Sequence, residues 1–407
     1  MKLWIMLVAL MGGLYSLILH IVEHRSANNP TPENVSDVYD ADTYLKWKKY
    51  SAEHCRLSIV SSVVSCVVTL ALLFTNVYAA FASLFPAGFF WQLFSVVLFE
   101  IAVNTLVGVV ERYVSVMVIE EKYGFNRSTL KTFVFDQVRS LIVSLLLTTA
   151  RALGLGLLHR NLGDWMILAF AIAIFLGVLL IVFLFPLFSR IGNKFTPLEE
   201  GELKERLTAL LVHHGYKVKG IEVMDASRRT TKLNAYFAGA GKTKTIVLYD
   251  NLVNAMEPDE ICAVFAHELG HGLHKDVLKQ QILSFGNMLI LSFVAWVIVR
   301  NVAIFEAFGF AEVNYGFAYI LIGTILSLVN PLISMVICAR SRFAEYRADR
   351  QAVKEGYGPA MITALKKLAR DNFAHLAPSR VNVVLQYSHP PLSQRIEAVE
   401  KEIERLK

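Results

Sequence analysis

Apolar and polar residues fall along this chain in long blocks. Seven blocks read as membrane-spanning helices: residues 3–22, 57–84, 89–118, 133–158, 165–188, 281–305 and 315–338. A span needs about 20 apolar residues, and each block supplies them if some polar positions are tolerated. The apolar core of the first is too long for a cleaved leader, and no small-x-small site clearly follows it, so it is read as a membrane helix. The fourth is the weakest, because it carries Asp136, Arg139 and Arg151. Charges inside spans are costly against lipid and usually face a partner or water. Glu100 and Arg151 lie deep and predict a polar interior between the helices. Glu111, Arg112 and Arg139 either line that space or snorkel from a helix end.

The pattern changes between the fifth and sixth blocks. Residues 198–214 place apolar side chains at helical spacing, with Glu199, Glu200 and Glu202 in the first turn. Residues 221–224, 234–237 and 245–249 read as short strands, with Gly239, Ala240 and Gly241 as the turn between the last two. Pro258, flanked by Glu257, Asp259 and Glu260, signals a helix start, and Ile261, Val264, Phe265 and Leu269 continue it at helical spacing. The expected organisation is membrane helices in residues 1–188, an α+β insertion in 189–280, two further spans in 281–338 and a charged helical tail in 339–407. The expected fold class is an α-helical integral membrane protein. Its seven transmembrane helices surround a polar chamber, with a small α+β domain on the cytoplasmic side.

Composition agrees with that pattern. Hydrophobic residues make up 55% and charged residues 18% of the 407, against about 45–50% and 25% in soluble domains. The net charge of +6 matters through its placement. The loop after the first block carries Arg25, Lys46, Lys48, Lys49 and Arg56, and the loop after the third carries Lys122, Arg127 and Lys131. The loops after the second and sixth have neither Lys nor Arg. Basic loops stay in the cytoplasm, which puts the N-terminus outside and the insertion and tail inside. No basic tract interleaved with aromatics is present, so nucleic acid is not an expected partner. The four cysteines have no C-x-x-C partner, which excludes a cysteine zinc site and gives no disulfide framework. Cys262 lies off the face of His267 and reads as packing.

Within the helix that Pro258 begins, His267-Glu268-Leu269-Gly270-His271 forms an H-E-x-x-H pattern. Residues i and i+4 share a helix face, so His267 and His271 can grip one metal ion, and zinc suits two imidazoles. Glu268 leans beside that ion and is placed to take a proton from an attacking water. A catalytic zinc needs a third protein ligand. Glu345 and Asp349, also i and i+4, allow Glu345 to bind the metal and Asp349 to orient a histidine. Spacing equally allows an exposed helix in which Glu345 pairs with Arg342, Arg347 or Arg350.

Several segments carry a resemblance. They are the H-E-L-G-H helix, Arg342-x-x-Glu345-x-x-Ala348-Asp349, Ser388-His389-Pro390-Pro391-Leu392 and Asn234-Ala235-Tyr236-Phe237. Pro32-Glu33-Asn34-Val35, Glu121-Lys122-Tyr123-Gly124-Phe125-Asn126 and Asn193-Lys194-Phe195-Thr196-Pro197-Leu198 extend it over nearly the whole chain. Together they resemble the type I CAAX prenyl proteases, integral-membrane zinc metalloproteases of the gluzincin kind. The resemblance implies one zinc per chain, held by His267, His271 and Glu345, with Glu268 as general base and Asp349 in support. It implies an edge strand at Asn234, Ala235 and Tyr236 that pairs with the substrate backbone. It gives His389 and Arg395 roles at the substrate's carbonyl or C-terminal carboxylate. The implied partners are membrane lipids and the C-terminal segments of prenylated or otherwise membrane-tethered peptides, hydrolysed near their ends. Two positions depart from many members of that family: Ala344, commonly aromatic, and Asp276, commonly histidine. The short chain and short loop between the sixth and seventh blocks lead to the expectation of a bacterial protein in an inner membrane rather than one of the endoplasmic reticulum. Three other functions compete: a membrane quality-control zinc protease, a transporter or channel with a structural metal, and a membrane scaffold whose metal is only structural. A structural metal site needs no base beside it, which weighs against the third.

Overall fold

The computed structural model describes residues 1–190, 193–228, 233–238 and 243–407. Seven long helices dominate: α1 (Lys2–Ser26), α2 (Ala41–Phe74), α3 (Phe89–Tyr113), α4 (Leu130–Leu162), α5 (Met166–Ser189), α8 (Asp276–Val299) and α9 (Tyr315–Lys354). Among the described residues, 6 apolar stretches suffice by length and composition to cross a bilayer. One of them, Leu130–Ile181, contains α4 and most of α5, which are separated where Gly163 turns the chain at φ +52. Apolar side chains such as Val60, Leu106, Leu146 and Leu176 stand exposed along these helices, a surface that lipid covers. The protein is therefore a multi-pass, mostly helical membrane protein.

The helix ends gather at two faces of the bundle. At one, Lys2 reaches the Phe74 carbonyl (2.6 Å), Arg160 lies over the Phe89 ring (4.8 Å), and Asp164 accepts from Trp296 and Arg300. At the other, Tyr50 on α2 donates to Glu120 and Lys122 pairs with Glu53. Arg127, beyond α3, reaches the insertion at the Ser227 carbonyl.

Several expected boundaries change, two of them at α2. The polar stretch before the second block is not a loop from residue 41 onward: α2 starts there, with Asp40 accepting from the Thr43 amide (2.7 Å). Trp47 anchors that polar half of the helix, since it is buried and donates to the Phe373 carbonyl. α2 also ends before residue 84, because Asn76 takes a left-handed conformation (φ 56) and a separate short helix, Val77–Ala82, follows. A left-handed residue cannot continue a right-handed helix.

Between α1, α2, α3 and α9 lies a cavity of about 650 Å³ lined by Ser16, Ser62, Thr69, Glu100 and Ser327 among others. Glu100 accepts from the Tyr78 hydroxyl (2.5 Å) and the Asn104 amide (2.8 Å). Arg151 donates to the hydroxyl of Tyr319, a lining residue. Glu100 thus belongs to a polar interior, while Arg151, itself exposed, touches its lining through Tyr319.

Among the described residues the insertion holds four strands: β1 (Phe195–Pro197), β2 (Lys217–Met224), β3 (Ala235–Ala238) and β4 (Thr243–Tyr249), in the order β1-β2-β4-β3. β2 and β4 run parallel, while β3 lies antiparallel to β4 with Ala235 opposite Leu248. β3 is an edge strand. β1 was not expected from the sequence, being three residues with a proline. The expected turn at Gly239, Ala240 and Gly241 lies outside the described residues. Helix α6 (Glu202–His213) buries Leu207 and Leu211 against the sheet's core, which Ile246 and Leu248 share with Phe265 and Leu269 of α7 (Pro258–Leu273). α7 opens with a reciprocal cap between Glu257 and Glu260, which satisfies two otherwise orphaned amides. In the tail, α10 (Gly358–Asp371) and α11 (Leu392–Leu406) pack Met361, Leu365, Ile396 and Val399 with Val35 and Trp47.

Candidate active site

Two helices make the site, and a glycine lets them meet. A Cβ at Gly270 of α7 would lie 3.0 Å from the Cα of Ala348 on α9. That close crossing brings the α7 histidines against Glu345. His267 and His271 sit one turn apart with their Nε2 atoms 3.2 Å from each other. The Glu345 carboxylate is 3.5 Å from His267 Nε2 and 3.3 Å from His271 Nε2. Ligand atoms of the three residues all fall within 4.8 Å of one another.

The outer ring nitrogens decide what this cluster is for. His267 Nδ1 donates to Asp349 Oδ1 (2.8 Å) and His271 Nδ1 donates to Asp276 Oδ2 (3.1 Å). A carboxylate accepts, so each Nδ1 carries the proton and each Nε2 presents a lone pair. Two lone pairs facing each other cannot bond; they need a shared cation. Glu345 Oε2 is likewise buried with no hydrogen-bond partner. Burial pushes His271 down, but Glu345 and Asp276 outweigh it and raise its pKa to about 9, so where no metal competes a proton on Nε2 answers the same negative surroundings. Two imidazoles, one carboxylate and supporting carboxylates behind them fit zinc.

The remaining residues surround this point. Arg395 grips Asp349 through Nη2 (2.6 Å) and Nε (2.9 Å), and its Nη1 is 3.5 Å from Glu345 Oε2. His389 Nε2 approaches Glu345 Oε1 at 3.5 Å, yet its side chain is 64% exposed. A cleft of about 230 Å³ is lined by Asn234, Ala235, His267, Glu268, Glu345, His389 and Arg395. Ala235, Tyr236 and Glu268 also line a small adjoining cavity. Asp349 and His271 stand outside the cleft lining. The exposed-helix alternative for Glu345 fails: Arg342 donates to the carbonyls of Val383 (2.6 Å) and Tyr387 (2.8 Å), and Arg347 pairs with Asp276. Asp276 itself is what the sequence reading missed. It looked like a departure from a family pattern, but it stands behind His271 as Asp349 stands behind His267. Its signal was faint, because it follows His271 by five residues across a break where Lys275 turns left-handed (φ 54).

A metal-fitting donor set, an unattached glutamate beside it and a cleft walled by an edge strand define a zinc metalloendopeptidase, here one built into a membrane helix bundle. The comparisons with known proteins agree. The family described as Peptidase family M48 matches residues 197–403, and that described as CAAX prenyl protease N-terminal, five membrane helices, matches residues 20–190. CAAX prenyl protease 1 of Saccharomyces cerevisiae is 31% identical over 418 residues, covering 92% of this chain and 90% of the yeast protein. The human CAAX prenyl protease 1 homolog is 27% identical over 418 residues, covering 90% and 88%. The crystal structure of S. mikatae Ste24p matches with a TM-score of 0.89 at 27% identity, covering 98% of this chain and 99% of that one. The chain belongs to peptidase family M48. The expectation of a bacterial origin gains no support, since these relatives are eukaryotic. The chain also covers 94% of the homolog from Oryza sativa, so it is not short beside them.

Proposed function

We propose that this protein cleaves CAAX-type substrates, removing residues from the C-terminus of prenylated or other membrane-tethered peptides. One observation carries the reading. α9 is a single helix whose Tyr319, Gly323 and Ser327 line the chamber and whose Glu345 lies in the cleft. The 18 residues from Ser327 to Glu345 span about 27 Å at 1.5 Å each. A peptide anchored in the bilayer beside such a bundle has a short reach to the cleft. The architecture supporting this is seven crossings, with residues 1–188 and 281–338 in the membrane and residues 189–280 and 339–407 forming the catalytic side in the cytoplasm.

Zinc held by His267, His271 and Glu345 would supply a Lewis acid that polarises the scissile carbonyl and makes water acidic. Glu268 takes the proton from the attacking water and returns it to the leaving amine. Asp349 fixes the tautomer and orientation of His267, and Arg395 fixes Asp349. Asn234, Ala235 and Tyr236 add the substrate to the β3 edge as a strand. His389 donates to the oxygen on which negative charge develops.

The test is purified protein with a farnesylated C-terminal peptide, with and without a zinc chelator. A single cut near the C-terminus, lost on chelation and restored by zinc, is expected. Many fragments from a misfolded membrane protein, with the farnesylated peptide untouched, would show a quality-control protease. Solute flux that survives chelation, with no cleavage, would show a transporter.

A further inference from the structure

His389 poses a mechanical problem. Its side chain is largely exposed and its Nδ1 meets only the neighbouring Ser388 hydroxyl (2.9 Å). Apart from the 3.5 Å approach of its Nε2 to Glu345, no ion pair or ring contact among the described residues holds the side chain, so its place is set largely through the backbone on either side. On the far side Pro390 and Pro391 are buried. On the near side stands Tyr387, and the contacts of Tyr387 lead to the first membrane helix. Its hydroxyl donates to Glu23 Oε1 (2.7 Å). The other oxygen of Glu23, Oε2, accepts from the Asn382 amide (2.6 Å), and that amide also donates to the Leu19 carbonyl. Asn382 is 1% exposed. Both oxygens of one carboxylate therefore hold the two ends of the segment 382–387. Arg342 closes the clamp from the α9 side through the carbonyls of Val383 and Tyr387. Hydrogen bonds that involve a charged group are stronger than neutral ones, so Glu23 and Arg342 together tie this segment to the helix bundle.

We propose that Glu23, at the C-terminal end of α1, is a positioning residue for His389 and acts through Tyr387. It touches neither substrate nor metal. The inference rests on the role given above to His389 at the developing oxyanion. Loosening the clamp leaves zinc and the β3 edge in place but lets His389 drift from the reacting carbonyl. A displacement of about 1 Å from a remote change costs up to about 10²-fold in rate.

The test is a double-mutant cycle on the full-length protein in detergent or vesicles, reading kcat, KM and zinc content on the same farnesylated peptide. Glu23→Gln keeps the shape and removes the charge. Tyr387→Phe removes one hydroxyl and keeps the experiment decisive where Glu23→Gln folds poorly. Each is expected to lower kcat about tenfold with KM within about twofold and zinc stoichiometric. In a His389→Ala background each should change kcat by less than about twofold, because the group they position is gone. A full additional loss in that background, unchanged kcat in the single variants, or loss of zinc would overturn the proposal. If His389→Ala alone leaves kcat intact, the role of His389 falls and the inference falls with it. That outcome is distinct from additivity, which removes only Glu23.

Discussion

Glu268 and Glu345 both lie near the two histidines and are expected to fail differently. Glu268 lines the cleft without joining the ligand cluster. Glu268→Gln should keep zinc and lose at least about 10²-fold in turnover, the low end for general acid–base catalysis. Metal analysis of the purified variant separates the roles, since lost zinc would move Glu268 into the ligand set. Glu345→Ala should lower zinc affinity and activity together, and full occupancy at full rate would remove it from the site. Asp349→Asn and Asp276→Ala act on the outer nitrogens of His267 and His271, so each should weaken zinc by roughly 10–100-fold, read by chelator competition. Of these residues the sequence shows His267, Glu268 and His271 directly, because a metal pair at i and i+4 is a local pattern. Glu345 follows only when a second helix is brought alongside. The role of Asp276 is hidden, since its partnership depends on a left-handed turn at Lys275 that no periodicity records.

Between elements, the decisive contact is the α7–α9 crossing. Its distance is set by Gly270 against Ala348 and Gln351, where an added Cβ would meet atoms at 3.0 Å. Gly270→Ala should push the helices apart by a few tenths of an ångström and cost about 1–3 kcal/mol, as overpacking does. Zinc affinity should fall with it, because His271 is the next residue and Glu345 stands across the gap. Thermal unfolding and zinc titration of the same sample check both, and an unchanged affinity would show that the crossing does not set the ligand distance. Helices were legible where apolar blocks or caps mark them: α7 starts at Pro258 as its charges and proline indicate. The first turns of α2 were not, because Lys46, Lys48 and Lys49 give that stretch the look of a loop. It is helical because Trp47 is buried under the tail, and Phe373, which receives its hydrogen bond, lies more than three hundred residues away. β1 escaped for a related reason: it exists only through its pairing with β2.

On the scale of the whole molecule, the apolar blocks reveal the membrane bundle, while the number of crossings turns on α4 and α5. Length and composition merge these two into one stretch. The contacts argue for two passes. The α4–α5 turn meets the end of α8 through Asp164, Trp296 and Arg300. The end of α4 meets the start of α3 through Arg160 and Phe89, and the start of α1 meets the end of α2 through Lys2. All of these ends lie on one face if each helix crosses once. Arg300 is the one basic residue in the loops after α2 and α8, whereas Arg25, Lys46, Lys48, Lys49 and Arg56 cluster around the α1–α2 turn and Lys122 and Arg127 follow α3, so that face is expected outside. In a variant with Cys55, Cys66, Cys262 and Cys338 replaced, a single cysteine near Pro86 or Val313 should react with an impermeant reagent in intact cells. One near Lys48, Arg127 or Lys204 should react only after the membrane is opened. If Arg139 and Arg151 kept α4 from crossing, the turn at Gly163 would stay inside and α5 would carry the insertion outward. A cysteine near Lys204 would then label in intact cells while one near Val313 stayed protected, which would overturn both the seven crossings and the cytoplasmic placement of the zinc site.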